Sequence, residues 1–196
     1  MTLTPAVSQS IEILALLSGV GYAVLAALRR RLCWVLGAVS AAATAIVAGD
    51  GALPLQAGLQ VYYVGVSIYG WFSWTRSSSQ GDLPVGKWPL AWHLAAVVLF
   101  TALSLLTAHL IVFGMVDDWP FLDSLTSWFS LFATWLQARA RLENWLYWMV
   151  IDVLLAFVFF AQQKPWLALL MVLYIVIAAS GWIAWRRRLQ SQVVSA

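Results

Sequence analysis

The sequence predicts an all-α integral membrane protein in which two parallel three-helix repeats flank a linker helix. Three observations predict this fold: an apolar composition, seven apolar segments and an internal repeat. Of the 196 residues, 63% are hydrophobic and 10% are charged, whereas a soluble domain carries about 25% charged residues. The composition excludes an ordinary soluble domain, and we expect residues 1–196 to form a single membrane domain.

Seven apolar segments lie between short polar breaks, each near the ~20 residues that a helix needs to cross a bilayer. The third and seventh begin with proline, which costs no hydrogen bond at a helix start. We predict one transmembrane helix for each segment. The segments are Ile11–Leu28, Leu32–Ala48, Pro54–Trp74, Pro89–Phe113, Phe121–Leu136, Trp145–Ala161 and Pro165–Trp185.

The charges between the segments predict the orientation. With seven spans, ten of the eleven basic residues fall on one side, and Lys164 lies on the other with the acids Asp50, Asp117 and Asp118. Because Lys and Arg are enriched in cytoplasmic loops, we expect an outer N-terminus and a cytoplasmic C-terminus in the plasma (inner) membrane. The ten are Arg29, Arg30, Arg31, Arg76, Lys87, Arg139, Arg141, Arg186, Arg187 and Arg188.

The chain also repeats itself at an offset of 111 residues without a gap. All three tryptophans of residues 12–76 align with a tryptophan of residues 123–187. We place repeat one at about 11–76, the linker helix at about 88–113 and repeat two at about 121–187. Three spans plus a linker return the second copy in the same orientation, a plan used by transporters. A duplicated bundle without a pore is the alternative.

Polar residues interrupt the apolar sixth segment. Asn144, Trp148 and Asp152 share one helical face, and Trp145 lies beside them. An acid within such a helix usually faces the bundle interior or a wet cavity, and it is a candidate functional residue. The alternative is a buried acid that is hydrogen-bonded to a neighbouring helix.

The third helix of each repeat carries further candidates. Gln60, Tyr63 and Ser67 form a polar stripe. Trp71 and Trp182 follow glycines one turn inside the cytoplasmic interface, where they are candidates for a gate or a site. Trp74 and Trp185 lie nearer the interface, which also suits belt tryptophans.

We predict that these side chains line one cavity. Aromatic faces, amides and one negative charge suit a flat, cationic, hydroxylated ligand. The sequence contains no nucleophile–base pattern or P-loop, so we expect a small-molecule carrier in the bilayer, not an enzyme, a cofactor protein or a nucleic-acid binder. The predicted cavity residues are Gln60, Tyr63, Ser67, Trp71, Asn144, Trp145, Trp148, Asp152, Tyr174 and Trp182.

The chain resembles the PnuC family of vitamin transporters from about Ile11 to Trp185. The resemblance rests on Leu-Glu-Asn-Trp-Leu-Tyr-Trp at 142–148, Ile-Tyr-Gly-Trp-Phe-Ser-Trp at 68–74 and Leu-Asp-Ser at 122–124. It implies a SWEET-like fold, a homotrimer, and facilitated diffusion of nicotinamide riboside by alternating access, with trapping by cytoplasmic phosphorylation.

Two departures bear on the substrate. Many nicotinamide riboside carriers of this family have asparagine where this chain has Ser40 and Ser67, and serine offers fewer hydrogen bonds. Thiamine carriage is therefore an alternative, and riboflavin, which is uncharged, fits an anionic site less well. A non-transporting scaffold or receptor is the alternative of another class, and it predicts that Gln60, Tyr63 and Ser67 pack against side chains with no cavity.

Overall fold

The computed structural model describes residues 4–50, 54–79, 84–112 and 120–194, and this part of the chain forms seven helices. The expected all-helical fold is thus confirmed. Phe113, Asp117 and Asp118, which entered the predicted segments and loops, lie outside the described residues. The helices are α1 (Pro5–Ala27), α2 (Cys33–Asp50), α3 (Pro54–Ser79), α4 (Leu90–Val112), α5 (Pro120–Ala138), α6 (Asn144–Ala161) and α7 (Pro165–Val194).

Three helices extend five or more residues beyond the apolar segments that predicted them, and one of these is α3, which ends at Ser79 instead of Trp74. Helix α1 begins at Pro5 instead of Ile11, and α7 ends at Val194 instead of Trp185. The extension of α7 contains Arg, Leu and Gln, which favour helix but not hydrocarbon. Hydropathy therefore identified the apolar part of each helix and missed its polar ends.

Four of the described helices are long and apolar enough to cross a membrane: Pro5–Ala27, Leu90–Leu110, Asn144–Ala161 and Pro165–Val194. The stretch Cys33–Val47 is apolar but shorter. Helices α3 and α5 are less apolar because Gln, Ser, Thr and Tyr interrupt them. Such residues are expected in helices that border a polar interior.

Six helices form a ring, in the order α1, α2, α3, α5, α6, α7 and back to α1. Helix α4 lies outside the ring and packs on α5. The α1–α2 turn lies close to Arg188 of α7. Partial burial, and then the charge of Arg188, lower the pKa of the Arg29 guanidinium in this turn. The ring encloses the space in which the candidate site lies.

The α1–α2 and α5–α6 turns contain arginines, and we call them the basic turns. Four tryptophans form a buried layer at this end of the ring. The rings of Trp34 and Trp74 meet edge to face at 5.3 Å, those of Trp145 and Trp185 at 5.5 Å, and Trp74 lies 5.9 Å from Trp185. Trp74 and Trp185 are only 1% and 0% exposed. The interpretation of these two as interfacial belt residues is therefore wrong, because their rings pack against each other inside the bundle.

The same two indoles join the halves of the ring by hydrogen bonds. Trp74 Nε1 donates to the carbonyl of Ala138 at the end of α5, at 3.2 Å. Trp185 Nε1 donates to the carbonyl of Ala26 near the end of α1, also at 3.2 Å. Both carbonyls lie in the last turn of a helix, where intrahelical donors run out, and that of Ala26 also accepts the N–H of Arg29 at 2.9 Å.

Candidate binding cavity

Two adjoining chambers lie inside the ring, and we call them together the central cavity. The acidic chamber, of about 270 Å³, is lined by Gly19, Tyr22, Ala23, Gln137, Trp145, Trp148, Asp152, Leu155, Met171, Tyr174, Ile177 and Ala178. The polar chamber, of about 200 Å³, is lined by Gly19, Tyr22, Gly37, Ser40, Ala41, Gln60, Tyr63, Ser67, Thr134 and Trp148. Gly19, Tyr22 and Trp148 border both chambers.

The acidic chamber is centred on Asp152, near the midpoint of α6. Asp152 is 5% exposed, and among the described residues no hydrogen-bond donor or basic group contacts its carboxyl group. The Tyr174 side chain, from the neighbouring α7, lines the same chamber, and its hydroxyl lies close to Gly19. Burial of a carboxyl group without a protein partner costs free energy unless a ligand or water molecule hydrogen-bonds to it.

A hydrogen bond fixes the indole that borders both chambers. Trp148 Nε1 donates to Gln137 Oε1 at 3.1 Å, and Gln137 is almost fully buried. Gln137 also lines the acidic chamber. Helix α5 therefore holds the aromatic face that α6 presents to the cavity.

The polar chamber contains the stripe that the sequence predicted on α3. Gln60, Tyr63 and Ser67 line it, and the buried side chain of Gln60 makes no hydrogen bond to another described residue. Ser40 Oγ lies opposite and donates to the carbonyl of Ala15 at 2.8 Å. A non-transporting scaffold would have filled this space with side chains, whereas the structure has a cavity there.

Tyr22 supplies a further polar group at the junction of the chambers. Its hydroxyl is buried and has no hydrogen-bond partner within the described part of the chain. Its ring packs edge to face on Trp34 at 5.7 Å and closely approaches Gly37. The ring is thus held by packing, and this packing leaves the hydroxyl without a hydrogen bond to the described residues.

Three predicted residues lie away from the cavity walls described above. Asn144 begins α6, and its Nδ2 donates to the carbonyl of Arg141 at 2.5 Å. Trp71 faces another surface, with the Arg31 guanidinium 5.4 Å from its ring centre. Trp182 is half-buried against the aromatic core. Their roles at a site or gate stay predictions.

Several wall residues are not evident from the sequence. Tyr22, Thr134 and Gln137 were missed, and Ser40 was noted only as a departure from the family pattern. Gln137 directly follows the predicted fifth segment, which ended at Leu136, so it was not recognised as part of the helix, whereas α5 extends to Ala138. Tyr22 carried no signal, because a tyrosine in an apolar helix is equally typical of a core.

The comparison with protein families decides the class. Residues 9–187 match the model of the nicotinamide mononucleotide transporter family. This chain belongs to that family. The match confirms the resemblance drawn from the sequence, and it identifies a multi-pass membrane protein from a family of transporters and not of enzymes.

Proteins with similar sequences are also named as transporters. The nicotinamide riboside transporters PnuC of Escherichia coli (strain K12) and Shigella flexneri are each 28% identical over 167 residues, covering 70% of both chains. The riboflavin/roseoflavin transporter RibM of Streptomyces davaonensis is 25% identical over 141 residues, covering 69% of this chain and 65% of RibM. A crystal structure of the vitamin B3 transporter PnuC matches 92% of this chain and 82% of its own, with a TM-score of 0.69 at 19% identity, which supports the fold.

Proposed function

We propose that this protein takes up nicotinamide riboside by facilitated diffusion, binding it in the central cavity. The unpartnered carboxyl group of Asp152 is the observation that carries the proposal, because it suits the positive charge of the nicotinamide ring. Trp148 adds an aromatic face that attracts a cation. Relatives named as nicotinamide riboside transporters support the same substrate.

The two chambers differ in a way that matches the two halves of this ligand. The acidic chamber offers a carboxyl group and indoles for the charged ring, and the polar chamber offers an amide and hydroxyls for the ribose. Gln60 has two donors and an acceptor, enough to pair with neighbouring ribose hydroxyls. In the proposed orientation the ring contacts Asp152 and the ribose contacts Gln60, while Tyr22 lies between them.

The proposed 3+1+3 plan is supported by the helix bounds. Helices α1 and α5 end 111 residues apart, as do both ends of α2 and α6 and the starts of α3 and α7. The turns after α1 and α5 each contain one residue with positive φ, Arg29 at 59° and Ala140 at 52°, at the same offset. We propose two repeats in one membrane domain, with the plan of SWEET carriers.

Part of the cavity wall follows the same offset. At six pairs of positions, the first residue borders the polar chamber and its counterpart borders the acidic chamber: Thr134 and Ala23, Gly37 and Trp148, Ala41 and Asp152, Gln60 and Met171, Tyr63 and Tyr174, Ser67 and Ala178. The two chambers are thus related positions of a duplicated unit that acquired different side chains. This supports a site at the repeat interface, where transporters of this type bind.

The tryptophan layer closes the cavity at the end that carries the basic turns. In the proposed orientation, with the N-terminus outside, this end is cytoplasmic, and the layer is the cytoplasmic gate. Opening it must break the bonds of Trp74 and Trp185 across the ring. We further propose a homotrimer in the plasma (inner) membrane and trapping of the vitamin by cytoplasmic phosphorylation.

Binding to purified protein tests the substrate. We expect calorimetry to give a clear signal for nicotinamide riboside and none for thiamine or riboflavin. Gln60→Ala should weaken binding by about 1–3 kcal/mol, the cost of a lost buried hydrogen-bonding group, whereas Gln190→Ala on the exposed end of α7 should not.

Two alternatives belong to the same assay. Riboflavin is favoured by the similarity to RibM, and thiamine shares the cationic ring. Tight binding of either one without nicotinamide riboside would reassign the substrate and keep the transporter class.

A further inference from the structure

A second cavity lies outside the ring, between α4, α5 and α6, and we call it the lateral groove. It has a volume of about 560 Å³ and is lined largely by aliphatic side chains, among them Val97 of α4 and Val150 of α6. Leu90 and Val150, at its edge, are 72% and 61% exposed. In a membrane protein, such a surface faces lipid or another protein.

Polar groups gather at one end of the groove. His93 Nδ1 and the Tyr147 hydroxyl are 3.0 Å apart, and His93 Nε2 is buried with no hydrogen-bond partner in the described chain. The Glu143 carboxyl group lines the same end, where it accepts the N–H of Trp88 at 3.3 Å. An apolar chain alone would leave the His93 nitrogen unsatisfied, so the groove fits an occupant with a polar head.

The length of the groove fits one leaflet. Its lining runs from Leu90 to Thr101 on α4 and from Glu143 to Leu154 on α6, about 16 Å of helix axis in each case. That is close to half of the ~30 Å hydrocarbon core. A single acyl chain, with its head at the polar end, spans this distance.

Charges around the polar end are of both signs. Lys87 directly precedes Trp88, and Arg141 Nη1 donates to the Lys87 carbonyl at 3.3 Å. Lys87 is thus adjacent to Trp88, whose N–H bonds to Glu143, and Arg141 is two residues before Glu143. This combination complements a phosphate and an amine in one head group.

We propose that the lateral groove binds phosphatidylethanolamine from the leaflet on the side of the basic turns. One acyl chain lies along Val97 and Val150, the phosphate lies beside Lys87 and Arg141, and the ammonium group reaches Glu143 and His93. The site does not depend on the ligand of the central cavity.

The groove is one helix away from the central cavity. Tyr147 and Ile151 line the groove, and their neighbours Trp148 and Asp152 line the acidic chamber. A lipid in the groove therefore supports the outer face of the helix whose inner face carries the proposed ion-pairing residue.

Paired substitutions test the proposal. Val97→Phe fills the groove, whereas Val98→Phe adds the same ring at the next residue, which is 70% exposed and does not line the groove. We expect native mass spectrometry of purified protein with added palmitoyl-oleoyl phosphatidylethanolamine to give at least threefold less bound lipid for Val97→Phe and no change for Val98→Phe. Val150→Phe and Val153→Phe repeat the comparison on α6 in case one variant misfolds.

Three outcomes would overturn the proposal. Equal lipid retention by the groove-filling and control variants would remove the site. Equal retention of phosphatidylglycerol would remove the amine-specific head contact. Efficient cross-linking of two Val150→Cys chains in the membrane by a short bismaleimide would assign the groove to a second copy, and absence of cross-linking supports the lipid.

Discussion

Asp152 supplies the acidic side chain of the central cavity. Its carboxyl group is buried and unpaired among the described residues, so its interaction with a ligand depends mainly on charge. Asp152→Asn keeps the shape and removes the charge. We expect nicotinamide riboside to lose about 1–4 kcal/mol of binding, the size of an ion pair at reduced dielectric, and its uncharged reduced form to lose little.

The comparison between the two ligands is made by calorimetry on the same variant. Glu12→Gln, which removes an exposed acid of α1, is the matched control and should leave both affinities unchanged. An equal loss for the charged and uncharged forms would mean that Asp152 acts through structure and not through charge.

Tyr22 separates a binding role from a structural one. Because its hydroxyl has no hydrogen-bond partner among the described residues, Tyr22→Phe removes no hydrogen bond within the protein and should change stability by less than ~0.5 kcal/mol. If the hydroxyl bonds to the ligand, binding should weaken by about 0.5–1.5 kcal/mol. Thermal unfolding and calorimetry measure the two effects, and a lower melting temperature with unchanged affinity would make Tyr22 a core residue.

Between neighbouring helices, glycines pack closely on indole rings, Gly70 of α3 on Trp34 of α2 and Gly181 of α7 on Trp145 of α6. A Cβ atom on Gly70 would collide with the Trp34 ring, and one on Gly181 would approach the Trp145 ring to 2.6 Å. The tryptophans of these pairs belong to the buried layer below the cavity. Small residues at these two positions thus allow that layer to form.

Two alanine substitutions in α3 should have opposite signs. Gly65 has open space around it, so Gly65→Ala should stabilise the protein by about 0.5–1 kcal/mol through helix propensity. Gly70→Ala should destabilise it by about 1–3 kcal/mol through overpacking. Thermal denaturation in detergent measures both, and a neutral Gly70→Ala would contradict the observed packing.

Much of the helical architecture could be predicted from the sequence, because apolar segments and prolines mark helices directly. The polar positions of α6 and α3 were also predictable, since Asp152 and Gln60 stand out in apolar surroundings. The walls contributed by α1 and α5 were not. Tyr22 and Thr134 look like ordinary residues of an apolar helix, and their proximity to the cavity arises from the ring arrangement, which involves contacts distant in the sequence.

For the whole molecule, orientation is the most accessible test of the proposed plan. Gln9 and Gln190 are exposed near the two ends, and the single cysteine, Cys33, is buried. We expect an impermeant maleimide applied to right-side-out vesicles to label Gln9→Cys and to label Gln190→Cys only after permeabilisation. Labelling of Gln190→Cys in sealed vesicles would reverse the orientation and make the tryptophan layer the outer gate.

Uptake by the purified protein in liposomes directly tests whether it transports nicotinamide riboside. We expect labelled nicotinamide riboside to enter proteoliposomes without an ion gradient until its concentrations on the two sides are equal, and to exchange with unlabelled nicotinamide riboside inside. Asp152→Asn should slow this exchange, and Glu12→Gln should not. Proteoliposomes that take up thiamine or riboflavin but not nicotinamide riboside would contradict the substrate assignment. Proteoliposomes that take up none of the three vitamins would contradict the proposed transport activity.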